Sequence, residues 1–258
     1  MVLAACIEMY HRIAYVILFL LCGMMVGWIL GLPGSWRAGW KWHDDLITAW
    51  YDNTLKTTGN FPTPLNLVTK YKGHTVAQMC HILPGALWAG LIPFQLHPSA
   101  RKKFRRWHRL GGYIFVFVAY LMFVGFIYID CNALVYMHSD FPEIPPYEHT
   151  TWLPVHVPHE PIFRIVGGWF VFTISFAAYY ATQKKFEEHR RWILRHVGSG
   201  VWIAVQRLFV IIVNAKTAEG QKKTFGDGAF LGVLLTCAAA EVAIWGYNAQ
   251  KGNKRKHS

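Results

Sequence analysis

The sequence predicts an all-α, polytopic integral membrane protein: a single domain of six transmembrane helices, with helices two to five forming the core. The chain of 258 residues is 53% hydrophobic and 16% aromatic, and its apolar residues gather into six long runs. Each run approaches the roughly 20 residues that a helix needs to cross a hydrocarbon core. Most Lys and Arg residues lie between the runs, as is usual for loops at membrane surfaces. The predicted spans are residues 10–31, 75–96, 111–131, 162–182, 192–213 and 228–248.

The first span is predicted to be a retained helix rather than a cleaved signal peptide. It is longer than the apolar part of a signal peptide, and Pro33 and the bulky residues after it make a poor cleavage site. The outer loop 32–74 that follows is long enough for a short helix, for which the stretch 43–56 is the candidate. Its tryptophans suggest a cap on the membrane interface, and an ordinary loop with aromatic anchors is the alternative.

The charge pattern predicts the orientation of the bundle. The net charge of +12 could indicate a nucleic-acid partner, but the cations crowd three short segments: the turns after spans two and four and the tail 249–258. The outer loop 132–160, rich in Pro and His, has no Lys or Arg. The positive-inside rule then places both termini in the cytoplasm, and no nucleic-acid partner is expected.

The last residues, KRKHS, resemble a dilysine signal that retrieves proteins to the endoplasmic reticulum, and a plain basic tail is the alternative. The five cysteines form no CxxC motif, and the chain has no GxSxG motif or nucleotide-binding loop. No catalytic residue is therefore assigned.

Ionisable residues inside the spans are the candidate site, because such groups are costly in a bilayer and usually functional. On span five, helical spacing places His189, His196, Gly200 and Arg207 on one face, which is expected to point into the bundle. Glu241 in span six is expected to be neutralised or paired, with Arg207 or His196 as the nearest partner by depth.

The depths of the histidines suggest haem. His81 and His159 fall in the outer half on spans two and four, whereas His108 and either His189 or His196 fall in the inner half on spans three and five. Facing imidazoles at one depth are what bis-histidine haem iron requires. A non-haem metal is the weaker alternative, because no carboxylate or cysteine stands one helical turn from these histidines.

The runs CHILPGALWAGLIPFQLHPSARKKFRRWHRLGGY and EEHRRWILRHVGSGVWIAVQR resemble the membrane protein family described as domain of unknown function 2306. The resemblance covers spans two to five, and it implies the fold rather than an activity. The residues that match the family pattern are His81, Gly90, Gln95, His108, Arg109, Gly112, Tyr113, His189, Arg190, Arg191, Trp192, Arg195 and Arg207.

More loosely, the plan looks like cytochrome b561, with histidines paired between helices two and four and helices three and five. This likeness implies one or two b-type haems and transmembrane electron transfer. His108 and His196 are then the expected ligands of an inner haem, and Arg195 or Arg207 would bind its propionates or tune its potential.

Three functions follow from these patterns. The first is an electron carrier that takes electrons from a small-molecule or protein donor through haem. The second is a proton-coupled transporter that uses Arg207, Glu241 and the histidines as a relay. The third is a non-catalytic membrane subunit or scaffold, in which the polar groups only fix the packing of the helices.

Overall fold

The structure is a computed structural model that describes residues 2–60, 65–97, 99–142, 144–145, 151–152 and 159–256, and helices are its only regular secondary structure in those ranges. Short 3₁₀ turns occupy Ser35–Arg37 and His138–Asp140, and a π-helical turn, Ala77–Ile82, runs directly into the fourth α-helix. The α-helices are α1 (Val2–Leu30), α2 (Lys41–Thr58), α3 (Leu65–Thr69), α4 (Leu83–Leu96), α5 (Ala100–Lys103), α6 (Arg105–Cys131), α7 (His159–Thr182), α8 (Phe186–Val213) and α9 (Ala218–Lys256).

Six helical segments are long and apolar enough to cross a membrane, which confirms the predicted all-α bundle of six spans. They are Met9–Arg37, Ala77–Leu96, Arg105–Cys131, Pro161–Thr182, Phe186–Val213 and Ala218–Ala249. The chain therefore contacts lipid over much of its surface. Because consecutive spans run in opposite directions, the basic turns 97–104 and 183–185 lie at one end of the bundle, called the basic end below.

The main apolar core lies where five of the spans meet. Its fully buried side chains include Trp88 and Ile92 of α4 and Ile174 of α7, with Phe115 of α6 and Val201 of α8 nearly as enclosed. Span one also contributes, through the buried residues Cys22 and Met25 of α1. The core is thus wider than the predicted set of helices two to five.

The π turn before α4 gives His81 its position. Pro84 has no N–H and would crowd the carbonyl one turn earlier, and the backbone avoids this by a longer bond from the Leu83 N–H to the Gln78 carbonyl oxygen. A Cβ atom on Gly125 of α6 would lie 2.7 Å from the backbone nitrogen of His81. Only glycine therefore permits this approach of the two helices.

The last two spans form the most extensive helix–helix contact in the described part of the chain. A Cβ atom on Gly198 of α8 would lie 2.9 Å from the Thr236 carbonyl oxygen, and one on Gly232 of α9 would lie 2.8 Å from the Trp202 carbonyl oxygen. Thr236 also donates a 2.7 Å hydrogen bond to the Gly198 carbonyl oxygen. Small residues that let two backbones touch are typical of membrane helix pairs.

The described parts of the loops 32–74 and 132–160 lie at the end opposite the basic turns. The predicted loop helix exists as α2, and it buries His43 and Ile47. Farther along, the Lys70 ammonium binds the Asp140 carboxylate at 2.8 Å and so joins the two long outer loops. Burial lowers the pKa of Lys70, although the Asp140 charge works in the opposite direction.

Candidate functional site

His196 lies at the centre of the bundle, and both of its ring nitrogens have partners. Its side chain is fully buried, and Nε2 accepts a 3.0 Å hydrogen bond from the Trp88 indole N–H of α4. The other nitrogen, Nδ1, lies 3.1 Å from the Phe170 carbonyl oxygen and 3.4 Å from the Thr173 hydroxyl of α7. Because Nε2 accepts, the neutral ring carries its proton on Nδ1 and donates it to the carbonyl oxygen.

Aromatic rings fill the space around this histidine. The centroids of the Phe170, Phe115 and Trp88 rings lie 4.2, 5.4 and 5.6 Å from that of His196. One turn later, a Cβ atom on Gly200 would overlap the Trp88 ring and come within 3.0 Å of Phe170. The predicted polar face does point into the bundle, but the indole ring occupies the space left by the glycine. These surroundings do not fit a haem ligand, because His196 has neither a free nitrogen nor room for a macrocycle.

A second histidine pair lies at the basic end. His108 in the first turn of α6 and His189 in the first turn of α8 are within electrostatic range of each other and of Arg101. His189 Nδ1 lies 2.8 Å from the Ala177 carbonyl oxygen and donates its proton there, so Nε2 is the nitrogen left for a ligand. His108 Nδ1 is enclosed, and it has no hydrogen-bond partner in the described part of the chain.

Other enclosed polar atoms gather at the same end. His11 Nε2, Gln95 Nε2 and Arg191 Nε are buried without a hydrogen-bond partner among the described residues. The Gln95 amide lies against Gly111, which follows His108 by one turn on α6. Buried polar atoms are nearly always paired in folded proteins, and a group of exceptions calls for an explanation such as a ligand. This end of the bundle is therefore the candidate site.

Arg195 and Glu241 form an ion pair at the side of the bundle. The Arg195 Nε and Nη2 atoms donate to the two Glu241 carboxylate oxygens at 2.6 and 3.0 Å. The expectation that Glu241 pairs with Arg207 or His196 is therefore wrong. Arg207 lies 12 residues, or about 18 Å, farther along α8, and His196 points into the core instead. Glu241 is 54% exposed in the protein, so the pair is not part of a closed site.

Arg207 sits toward the opposite end, between two aromatic rings. Its guanidinium carbon lies 5.1 Å from the Trp28 ring centroid and 5.0 Å from that of Phe225, and its Nε atom is enclosed without a partner in the described residues. The adjoining gap has a volume of about 30 Å³. It can hold a water molecule, which needs roughly 10–15 Å³, but it is far too small for a cofactor.

Of the predicted outer pair, His81 and His159, the structure describes the side chain of His81 alone. His81 Nδ1 lies 2.7 Å from the Met122 carbonyl oxygen, and its ring packs near that of Phe126. His159 begins α7, and its side chain lies outside the described residues. The pairing of His81 with His159 stays a prediction.

The residues that sequence reasoning missed are those that enclose His196, above all Trp88. A tryptophan in the middle of a span, rather than at the headgroup depth, must find an acceptor for its indole N–H, and this was the available signal. In the described part of the chain, no group of three or more His, Cys, Asp and Glu side chains could hold a metal ion.

Comparisons with known proteins leave the candidate site to be judged on its geometry. The chain matches no model of a known protein family, no curated protein and no solved structure. The resemblances to the family of unknown function and to cytochrome b561 stay predictions.

Proposed function

We propose that the protein is a membrane electron carrier that would hold one b-type haem at the basic end, with His108 and His189 as the residues that would bind its iron. The observation that carries this proposal is the His108–His189 pair. His189 is oriented by its hydrogen bond to the Ala177 carbonyl oxygen. Ligand histidines usually donate their second ring N–H in this way, which fixes the tautomer and the direction of the ligating nitrogen.

His108 supports the same interpretation. The enclosed, unpaired Nδ1 atom of His108 shows that this imidazole is not satisfied by the described protein groups alone. His196, by contrast, is satisfied on both nitrogens. Of the two partners that the sequence left open for His108, the proposal therefore takes His189 rather than the expected ligand His196, and it takes one haem rather than two.

The charges at this end suit a cofactor with two carboxylates. Arg101 is in electrostatic range of both histidines, and Arg190 stacks on the Tyr247 ring with its guanidinium carbon 4.2 Å from the centroid. Arginine binds carboxylates through paired hydrogen bonds. When bound, haem would supply one-electron redox chemistry, while the protein residues orient it, exclude water and neutralise its propionates. The positive-inside rule would open this site to a small-molecule or protein donor in the cytoplasm.

The test is a reduced-minus-oxidised visible spectrum of the full chain purified from haem-supplied cells. We expect a Soret band and an α band that disappear in His108→Ala and in His189→Ala. His97→Ala is the matched control, because this histidine lies at the same end and contacts Tyr15 rather than the pair. A folded, colourless wild-type protein, or variants that keep both bands, would refute the proposal.

A specific observation also favours the scaffold as a second candidate. Polar side chains inside the spans bond directly across helices, as Trp88 does with His196 and as the hydroxyls of Tyr120 and Ser175 do at 2.8 Å. Such bonds fix how membrane helices pack at a modest gain in stability. A colourless protein with a stoichiometric partner would indicate this function. The transporter relay has no such support, because Glu241 binds Arg195 rather than Arg207.

A further inference from the structure

We propose that the basic end binds one anionic phospholipid, with the phosphate on residues 101–109 and an acyl chain in the groove between α4 and α6. The groove has a volume of about 470 Å³. This volume falls within the roughly 300–1,000 Å³ of small-molecule sites. The proposal does not depend on haem binding.

The lining of the groove is apolar and faces lipid. Leu91 and Phe94 of α4 form one wall, and Trp107, Leu110 and Ile114 of α6 form the other. From Phe104 at its mouth to Ile114, the groove follows α6 for ten residues, or about 15 Å. Half of a hydrocarbon core about 30 Å thick is the depth of one leaflet. The groove therefore has the length and polarity for an acyl chain.

Unpaired positive charge surrounds the mouth of the groove. The segment RKKFRRWHR contains six Lys and Arg residues and no acid, and all six are exposed. None of the six makes an ion pair with a described residue. They are Arg101, Lys102, Lys103, Arg105, Arg106 and Arg109.

The start of α6 adds to this positive potential. The first turn of a helix carries the positive end of the helix dipole, where cations are unfavourable and anions favourable. Arg105 and Arg106 open α6 even so. Phe104 and Trp107 are 53% and 63% exposed beside them, at the headgroup depth that tryptophan prefers. Basic pockets between helices commonly bind anionic lipid headgroups, and charge complementarity therefore selects an anionic phospholipid as the occupant.

Native mass spectrometry of the delipidated full chain tests this proposal, with phosphatidylglycerol and phosphatidylcholine of identical acyl chains as probes. We expect phosphatidylglycerol to bind more tightly, by about 30-fold or more. Removing two charges with Arg105→Gln and Arg106→Gln should weaken phosphatidylglycerol by about 30-fold and leave phosphatidylcholine unchanged. The control pair Lys184→Gln and Lys185→Gln removes two exposed charges from the other basic turn, and it should have little effect.

A second pair of variants tests the groove itself. Ile114→Trp should fill the groove and weaken both lipids, whereas Ile127→Trp, at a 47% exposed position of the same helix, should not. The wild-type protein gives an independent measurement, because salt should reduce its thermal stabilisation by phosphatidylglycerol and not by phosphatidylcholine.

Four results would overturn the proposal. Equal binding of the two lipids would show that charge plays no part. An equal loss of phosphatidylglycerol binding in the Arg105/Arg106 variant and in the Lys184/Lys185 control would show that the lipid responds to overall surface charge. Unchanged binding in Ile114→Trp, or displacement of the lipid by glycerol 3-phosphate alone, would show that the groove holds no acyl chain.

Discussion

The contact between His196 and Trp88 allows a quantitative test of whether this histidine is structural. In His196→Leu, the Trp88 indole N–H stays fully buried and loses its acceptor, which costs about 1–3 kcal/mol. Loss of the ring contact with Phe170, whose centroid lies 4.2 Å away, adds about 0.5–1.5 kcal/mol. Removing a buried polar ring offsets part of this loss, so we expect a net destabilisation of about 2 kcal/mol.

A double-mutant cycle with Trp88→Phe isolates the hydrogen bond itself. The second substitution removes the indole donor and keeps an aromatic ring against Gly200. Hydrogen bonds between membrane helices average about 0.6 kcal/mol and reach about 1.7 kcal/mol, and a well-aligned, buried pair should lie in the upper part of that range. The coupling energy is measured by equilibrium unfolding of the four proteins in mixed micelles.

The same proteins carry the functional control. If His196 is structural, His196→Leu keeps whatever visible spectrum the wild type has, per folded molecule. A coupling energy within about 0.3 kcal/mol of zero, which is the usual error of additivity, would refute the hydrogen-bond argument. A folded variant that loses the haem bands would refute the structural role.

Three further predictions concern other contacts. Gly125→Ala should destabilise the protein by about 1–3 kcal/mol in thermal unfolding, whereas Gly168→Ala, whose Cβ would meet nothing within 4 Å, should be neutral or stabilising; equal effects would contradict the packing. Glu241→Gln should destabilise the protein by about 1–3 kcal/mol, because Arg195 loses a charged partner that accepts two of its hydrogen bonds within a span, and no measurable loss would contradict the ion pair. Burial works to raise the pKa of Asp44, but its hydrogen bonds, above all from a backbone N–H, and a nearby lysine lower it overall. Its stabilisation is therefore present above about pH 4 and lost at lower pH, so hydrogen exchange in α2 should quicken on acidification, and Asp44→Asn should abolish that change.

The fold could be predicted because the bilayer imposes a length and a composition on each span. Apolar runs such as 192–213 have one physical interpretation at that length. The helix over 43–56 was predicted beside an ordinary loop as the alternative, and its apolar residues do follow helical spacing. The contribution of span one to the core could not be predicted from the sequence. Its exposed and buried faces are both apolar, and they differ only in which residues pack against them.

The candidate site was predicted less well, for reasons of geometry. Helical spacing placed His189 and His196 on one face, but it could not say that Trp88 of another helix already satisfies His196. The partner of Glu241 could not be predicted from its position along span six. Because α9 is longer than the membrane is thick, Glu241 lies nearer the basic end than its place in the apolar run indicates, beside Arg195. The periodicity of one helix predicts which of its side chains share a face. Which residue of a neighbouring helix each side chain contacts depends on where that helix begins.

The close backbone contacts at Gly198 and at Gly232 have a consequence for how the bundle assembles. Gly198 belongs to α8 and Gly232 to α9, and these two helices are joined by four residues, 214–217. The most extensive helix–helix contact in the described bundle is thus local in the chain, and it requires none of the first four spans. Local contacts form early in folding. The last two spans are therefore expected to enter the membrane as one hairpin, and a ribosome stalled just after Val213 would expose a nascent helix whose glycine face still lacks its partner.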